Sequence, residues 1–176
     1  MKKCGLAFLI VAFTFSGFAR AADFDFRCDK KRVDAERSTT ASTQISNETW
    51  KYHVLIENKS FKDQEKLELH YAIFSKCEVA GSKTGAAKQS KVTGKKEIEK
   101  LRNTEKFEFD TESVDLNKTQ LIGGWYYGNG AKPRARASIT GIWIRLLKDG
   151  AVIAEYSEPA NLKSKQKWDD DAGGKH

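Results

Sequence analysis

Histidine is nearly missing from this chain: its 176 residues hold three, and His176 is the last of them. His53 and His70 are then the only internal candidates for a general base or a metal ligand. No H-x-x-x-H or C-x-x-C motif joins them, whereas a zinc site needs three or four ligands. No metal and no cofactor are expected. The fingerprints of nucleophilic and nucleotide-dependent enzymes are missing too: there is no G-x-S-x-G, P-loop or dinucleotide motif, and Gly123-Gly124 and Gly128-Asn129-Gly130 lead into no helix. Acidic residues are numerous, but a glycosidase needs two carboxylates facing each other across a cleft, which abundance does not supply. The chain reads as a non-enzyme.

Helix signals are scarce, and neither an internal repeat nor a coiled-coil heptad is present. The longest apolar run is at the N-terminus, where Lys2 and Lys3 precede an apolar core from Leu6 to Phe18 and Ala19-Arg20-Ala21 closes the segment. That run is short for a membrane span, and its small residues suit signal peptidase. Residues 1–22 therefore read as a secretory signal peptide, the alternative being a retained anchor. The expected mature chain is exported, to the periplasm or cell surface, with no transmembrane segment after cleavage. Loss of Lys2, Lys3 and Arg20 would leave 28 basic against 24 acidic residues, a formal charge of +4 instead of +7. So even a mixture of signs marks a solvated surface and not the concentrated stripe of a nucleic-acid binder. No nucleic-acid partner is expected.

Cysteine is sparse as well. Cys4 would leave with the signal, and it precedes the apolar region, unlike a lipidated cysteine. Cys28 and Cys77 remain, and both continue period-two apolar series, Cys28 after Phe24 and Phe26, Cys77 after Leu69, Tyr71 and Ile73. In an oxidising compartment the simplest expectation is one Cys28–Cys77 disulfide, closing a loop of about 50 residues worth about 4 kcal/mol. Two buried free thiols are the alternative.

What the chain does have is alternation. Trp50, Tyr52, Val54 and Ile56 lie on one face with Lys51, His53 and Glu57 opposite; Leu67 to Ile73 and Phe107 to Asp110 repeat the pattern. Ile139 to Leu147 is almost continuously apolar, as expected of a strand covered on both faces, and Asp149-Gly150 turns it into Val152, Ala154 and Tyr156. Strands over Asp23–Cys28, Lys95–Leu101 (where a helical turn is also compatible) and Leu121–Tyr127 bring the count to seven or eight. Ser82 to Thr93, rich in lysine, reads as an exposed loop. The expected fold is all-β, a two-sheet immunoglobulin-like β-sandwich over residues 23–159, followed by a polar tail, 160–176, in which Trp168 either docks or does nothing.

The best candidate for contact work is Trp125-Tyr126-Tyr127, followed by a Gly-rich loop and by Arg134 and Arg136. Adjacent aromatics in a strand cannot all face one core, so at least one reaches the surface, where rigid rings and guanidiniums bind proteins or sugars. The alternative places Trp125 and Tyr127 in the core. Asn47-Glu48-Thr49, Asn58-Lys59-Ser60 and Asn117-Lys118-Thr119 match the N-glycosylation pattern, which matters only in a eukaryotic source.

The pieces Ile56-Glu57-Asn58-Lys59 with Leu67 to Phe74, and Gly141-Ile142-Trp143-Ile144-Arg145 through Asp149-Gly150, Glu155, Pro159 and Leu162 to Trp168, resemble small exported immunoglobulin-like proteins of verrucomicrobial and related bacteria. The resemblance implies an immunoglobulin-like fold and association with type IV pilus-like envelope machinery, and it carries no catalytic residues. A pilin keeps its long apolar helix after processing, whereas this apolar segment precedes the cleavage point, so a filament subunit is not expected. The function expected is that of an envelope or surface interaction module with a protein partner; a glycan-binding module is the alternative.

Overall fold

In the computed structural model, residues 23–79, 81–82 and 86–168 are described; the expected signal peptide lies outside them. The described residues form eight antiparallel strands and one helical turn: β1 (Phe24–Thr39), β2 (Thr43–Asn58), β3 (Gln64–Glu78), β4 (Ala87–Leu101), β5 (Lys106–Asp110), β6 (Val114–Leu121), β7 (Arg134–Lys148), β8 (Ala151–Glu158) and α1 (Leu162–Lys165). One sheet has β1 beside β2, with β5 and β6 end to end on the far edge of β2. The other runs β4-β3-β7-β8. β7 joins the two, because Arg134–Arg136 pair with β6 before the strand crosses to β3. Consecutive β2 and β3 sit in opposite sheets, and β3, β7 and β8 make the triplet of an immunoglobulin-like sandwich.

Alternation places the core. Tyr52, Val54 and Ile56 from the first sheet face Leu67, Leu69, Tyr71 and Ile73 of β3 and Ile142, Ile144 and Leu146 of β7 in one cluster. Each such buried aliphatic side chain is worth about 1.5–3 kcal/mol relative to exposure. Phe26 and Tyr156 stack at 5.7 Å between β1 and β8, closing one side. Tyr71 lies across Gly94 so closely that a Cβ there would fall 2.2 Å from its hydroxyl oxygen. That hydroxyl accepts the Glu112 N–H at 3.0 Å, just where β5 gives way to β6, and Thr111 exchanges two 2.9 Å hydrogen bonds with the Tyr52 backbone in the same break. A glycine thus lets a tyrosine bind a discontinuous strand to the opposite sheet.

Asp149 (φ 51°) and Gly150 (φ 78°) form the expected hairpin turn. Three expectations are corrected. The expected Ser82–Thr93 loop is strand from Ala87 on, where β4 begins, and Lys95–Leu101 is its continuation without a helical turn. β4 is an edge strand and carries Lys88, Lys91, Lys95, Lys96 and Lys100, charge that opposes edge-to-edge pairing. The strand before the aromatic run is β6, Val114–Leu121, and it stops where the Leu121–Tyr127 strand was expected to start. β1 continues eleven residues past Cys28, to Thr39, as a charged extension with no second sheet beneath it.

The expected Cys28–Cys77 disulfide is not made: both thiols are free, Cys28 half-buried and Cys77 exposed. Cys28 pairs with Val54 in the first sheet, next to the core. Cys77 ends β3 in the other sheet, four residues and about 13 Å beyond Ile73. Alternation carries Cys77 past the end of the core, so period alone cannot bring the sulfurs within bridging distance.

The tail docks. Trp168 meets Trp143 edge to face at 5.3 Å, and the Arg145 guanidinium lies 4.9 Å from one ring and 4.4 Å from the other. With Ala72, Phe74 and Leu162 they form a second apolar cluster on the outer face of the β3–β7 sheet. Gly141 leaves the space for the crossing chain; a Cβ there would sit 2.3 Å from the Glu158 carbonyl oxygen.

Candidate functional site

Past Leu121 the chain leaves the sheet through Gly123 (φ 67°) and Gly124 (φ 81°), conformations that admit glycine most readily. Trp125 and Tyr126 follow at 62% and 79% exposure. The loop is nonetheless pinned: Leu121 N–H donates to the Pro133 carbonyl (2.7 Å), and Ile122 N–H to that of Ser42 (2.9 Å). Asn129 donates through Nδ2 to the Gly81 carbonyl (2.9 Å) and accepts the Ala131 N–H (3.0 Å). Tyr127 is half-buried with its ring against Gly81. Of the three aromatics, two are therefore presented to solvent and Tyr127 anchors the loop; Trp125 is not a core residue.

Arg134 and Arg136 open β7, opposite Gln120 and Lys118 of β6. Cross-strand partners share a face, and the same face takes Gln44, Ser46, Glu48 and Trp50 from β2 and Arg37, Arg32 and Lys30 from β1. It continues the sandwich's inner surface beyond the point where the second sheet stops covering it. Here the first sheet's interior becomes a concavity of about 340 Å³, lined by Arg37, Gln44, Lys118, Gln120, Arg134 and Arg136 among others.

Glu48 is the single acid on this face, and it is engaged: Lys118 forms a short ion pair with it and Trp50 Nε1 donates to it at 2.9 Å. The Lys118 hydrogen bond, then that of Trp50, holds its carboxyl below the usual range. Lys30 lies 4.5 Å from the Trp50 ring centre; burial lowers its ammonium pKa, Glu48 opposes that, and Lys118 and Arg136 add to the lowering as like charges. The reverse face of the same strands has the opposite character, with Asp34, Glu36 and Asp115 around Asn47, Thr49 and Asn117. Both the Arg37–Lys30 row and this segregation escaped the sequence reading, because they depend on the β1–β2 register and on a shift between Arg32 and Asp34.

The other candidates are separated. His53 hydrogen-bonds Asp110 (2.9 Å) on the outer face of the first sheet, while His70 lies on the second sheet beside Glu68 (3.1 Å). Among the described residues no group of three or more His, Cys, Asp or Glu could hold a metal ion. Lys51 and then His53 hold the Asp110 carboxyl down at about 2. Burial, with Glu158 and Asp29, pushes the Cys28 thiol up to about 12, the opposite of a reactive cysteine. Of the three sequons, Asn47 and Asn117 are exposed and bonded to each other at 2.8 Å, whereas Asn58 is fully buried.

No helix among the described residues is long and apolar enough to cross a membrane. No family model and no curated protein sequence matches the chain. Solved structures that match loosely in backbone include the following two. A structural-genomics target designated SoR45 shares 11% identity at a TM-score of 0.40, over 77% of this chain and 85% of its own. A protein from Akkermansia muciniphila, a verrucomicrobium, shares 11% identity at a TM-score of 0.26, over 76% of this chain and 70% of its own. Both likenesses are loose, and neither bears on what this chain binds.

Proposed function

We propose that this chain is a non-enzymatic exported binding module, which attaches to a component of the cell envelope or surface through the loop-bearing end of the sandwich. The observation that carries the reading is the pairing of exposure with fixation at Trp125 and Tyr126. Two large rings face solvent on a backbone tied to the β1–β2 turn, to Gly81 and across its own base. Rigid aromatic area held open in this way loses little entropy on binding, which is why tryptophan and tyrosine dominate contact hot spots. The leader-like residues 1–22 support export. The two internal histidines lie on different sheets, which supports the reading in that they do not combine into one acid–base site.

Co-sedimentation of purified mature protein with envelopes from the source cells tests this. Retention of the parent protein and its loss in Trp125→Ala/Tyr126→Ala is the expected result. Equal retention of both proteins, or none of either, overturns the reading.

A further inference from the structure

We propose that the cationic face of the β1–β2–β6 extension is a binding groove for an anionic polysaccharide, whose carboxylates or sulfates seat on Arg37, Arg134 and Arg136. The inference rests on the binding-module reading and names the chemistry of the partner.

Three features select that class. First, charge: the groove gathers Lys30, Arg32, Arg37, Lys118, Arg134 and Arg136 around one acid, Glu48, which Lys118 already neutralises. None of Arg37, Arg134 and Arg136 has an ion-pair partner among the described residues. Guanidiniums hold carboxylate and sulfate in two-point geometry that a lysine cannot match. Second, the floor: β2 and β6 are paired along both edges here, so a peptide finds no free backbone on the floor, and the open strand edge nearby, that of β1, lies at its rim. Recognition on the floor therefore comes from side chains, and the lining supplies amides and a hydroxyl, Gln44, Gln120 and Ser46, between the guanidiniums. Such donors and acceptors suit the hydroxyls of a sugar chain, and Ala135 is the one apolar side chain of the lining. Third, the end: the Gln44–Gln120–Arg134 row adjoins the turn where Gly123 lies beside the Ala41 carbonyl and the Trp125 ring. An exposed indole at the end of a polar groove is a platform for the face of a pyranose ring. The acidic reverse face, with Asp34, Glu36 and Asp115, repels the same polymer and leaves it one face to bind.

The test is titration of the mature protein at physiological salt with heparin and with polygalacturonate, alongside neutral dextran, poly-glutamate and single-stranded oligothymidine of matched charge. We expect heparin or polygalacturonate to bind, dextran not to, and the polypeptide and the oligonucleotide to bind at least about tenfold more weakly. Arg134→Ser/Arg136→Ser, solvent-facing substitutions that leave the melting temperature unchanged, lower the affinity by about tenfold or more, and Arg37→Ser acts in the same direction. Asp34→Ser/Glu36→Ser on the reverse face does not weaken binding. Equal affinity for poly-glutamate or oligothymidine overturns the proposal in favour of a nonspecific cationic surface. Failure of both polysaccharides to bind, or binding insensitive to the arginine changes, overturns it outright. If that occurs while Trp125-dependent envelope retention persists, the groove assignment falls and the binding-module reading stands; loss of retention as well removes both.

Discussion

Replacing Asn58 tests how the sandwich closes at its other end. The side chain is 0% exposed. Its Nδ2 donates to the carbonyls of Lys62 (2.9 Å), Leu101 (3.0 Å) and Arg102 (3.1 Å), and its Oδ1 accepts the N–H (3.0 Å) and hydroxyl (2.6 Å) of Ser60. One residue at the end of β2 therefore ties the β2–β3 loop to the end of β4. Asn58→Ala leaves the Leu101 carbonyl buried without that donor, at about 1–3 kcal/mol, while the more accessible partners recover part of their bonding from water. The total comes to about 3 kcal/mol, or roughly 10 °C in melting temperature for a domain of this size. Asn58→Asp keeps the shape and reverses the polarity, setting a carboxylate against three carbonyl oxygens, so at pH 7 it is the more damaging change. That carboxyl's folded-state pKa would be raised, so the deficit shrinks as pH falls from 7 toward 4 and the acid regains a donor proton. Urea unfolding followed by tryptophan emission at pH 7 and pH 4.5 measures all three proteins. A cost below 1 kcal/mol for Asn58→Ala, or an Asn58→Asp variant as stable as Asn58→Ala at pH 7, refutes the reasoning.

Asp110, held at about 2 by Lys51 and His53, contributes stability that is full above the ordinary carboxylate pKa near 4 and is lost as pH falls through about 2. Asp110→Asn flattens the stability profile across that window, and an unchanged acid limb speaks against the ion pair. Iodoacetamide applied to the native protein at pH 7.5 modifies Cys77 and spares Cys28 until urea is added; recovery of a Cys28–Cys77 bridged peptide would contradict the fold's spacing. Trp168→Ala removes an edge contact and a cation–π contact worth about 1–2 kcal/mol together, so trypsin cleaves after Lys163 and Lys165 roughly 5- to 30-fold faster while strand content by circular dichroism stays unchanged.

The strands that border the core were legible because burial on one face forces period two: β2, β3, β5 and β8 stand where their alternation is. The second half of β1 and the first half of β4 were not. Apart from Val92 those residues lie outside the core, so no apolar period marks them, and their hydrogen-bonded partners define them as strands. The aromatic run was legible as a contact candidate from residue type alone. Its conformation was not, since Leu121 and Ile122 prolong an apolar pattern that the two following glycines break.

The sequence by itself determined that this chain is a β-sandwich with a polar tail, because alternation, Asp149-Gly150 and Pro159 act through neighbours a few residues away. It also singled out Arg134 and Arg136 beside the aromatics. Only the tertiary structure decided that Cys28 and Cys77 stay apart, that Trp168 finds Trp143 and Arg145, and that three more basic residues of β1 line up with Lys118 and those two arginines on one face. Each of these depends on register and sheet crossing, which relate residues tens of positions apart. Local chemistry settles which way a side chain points, but not what it will meet there.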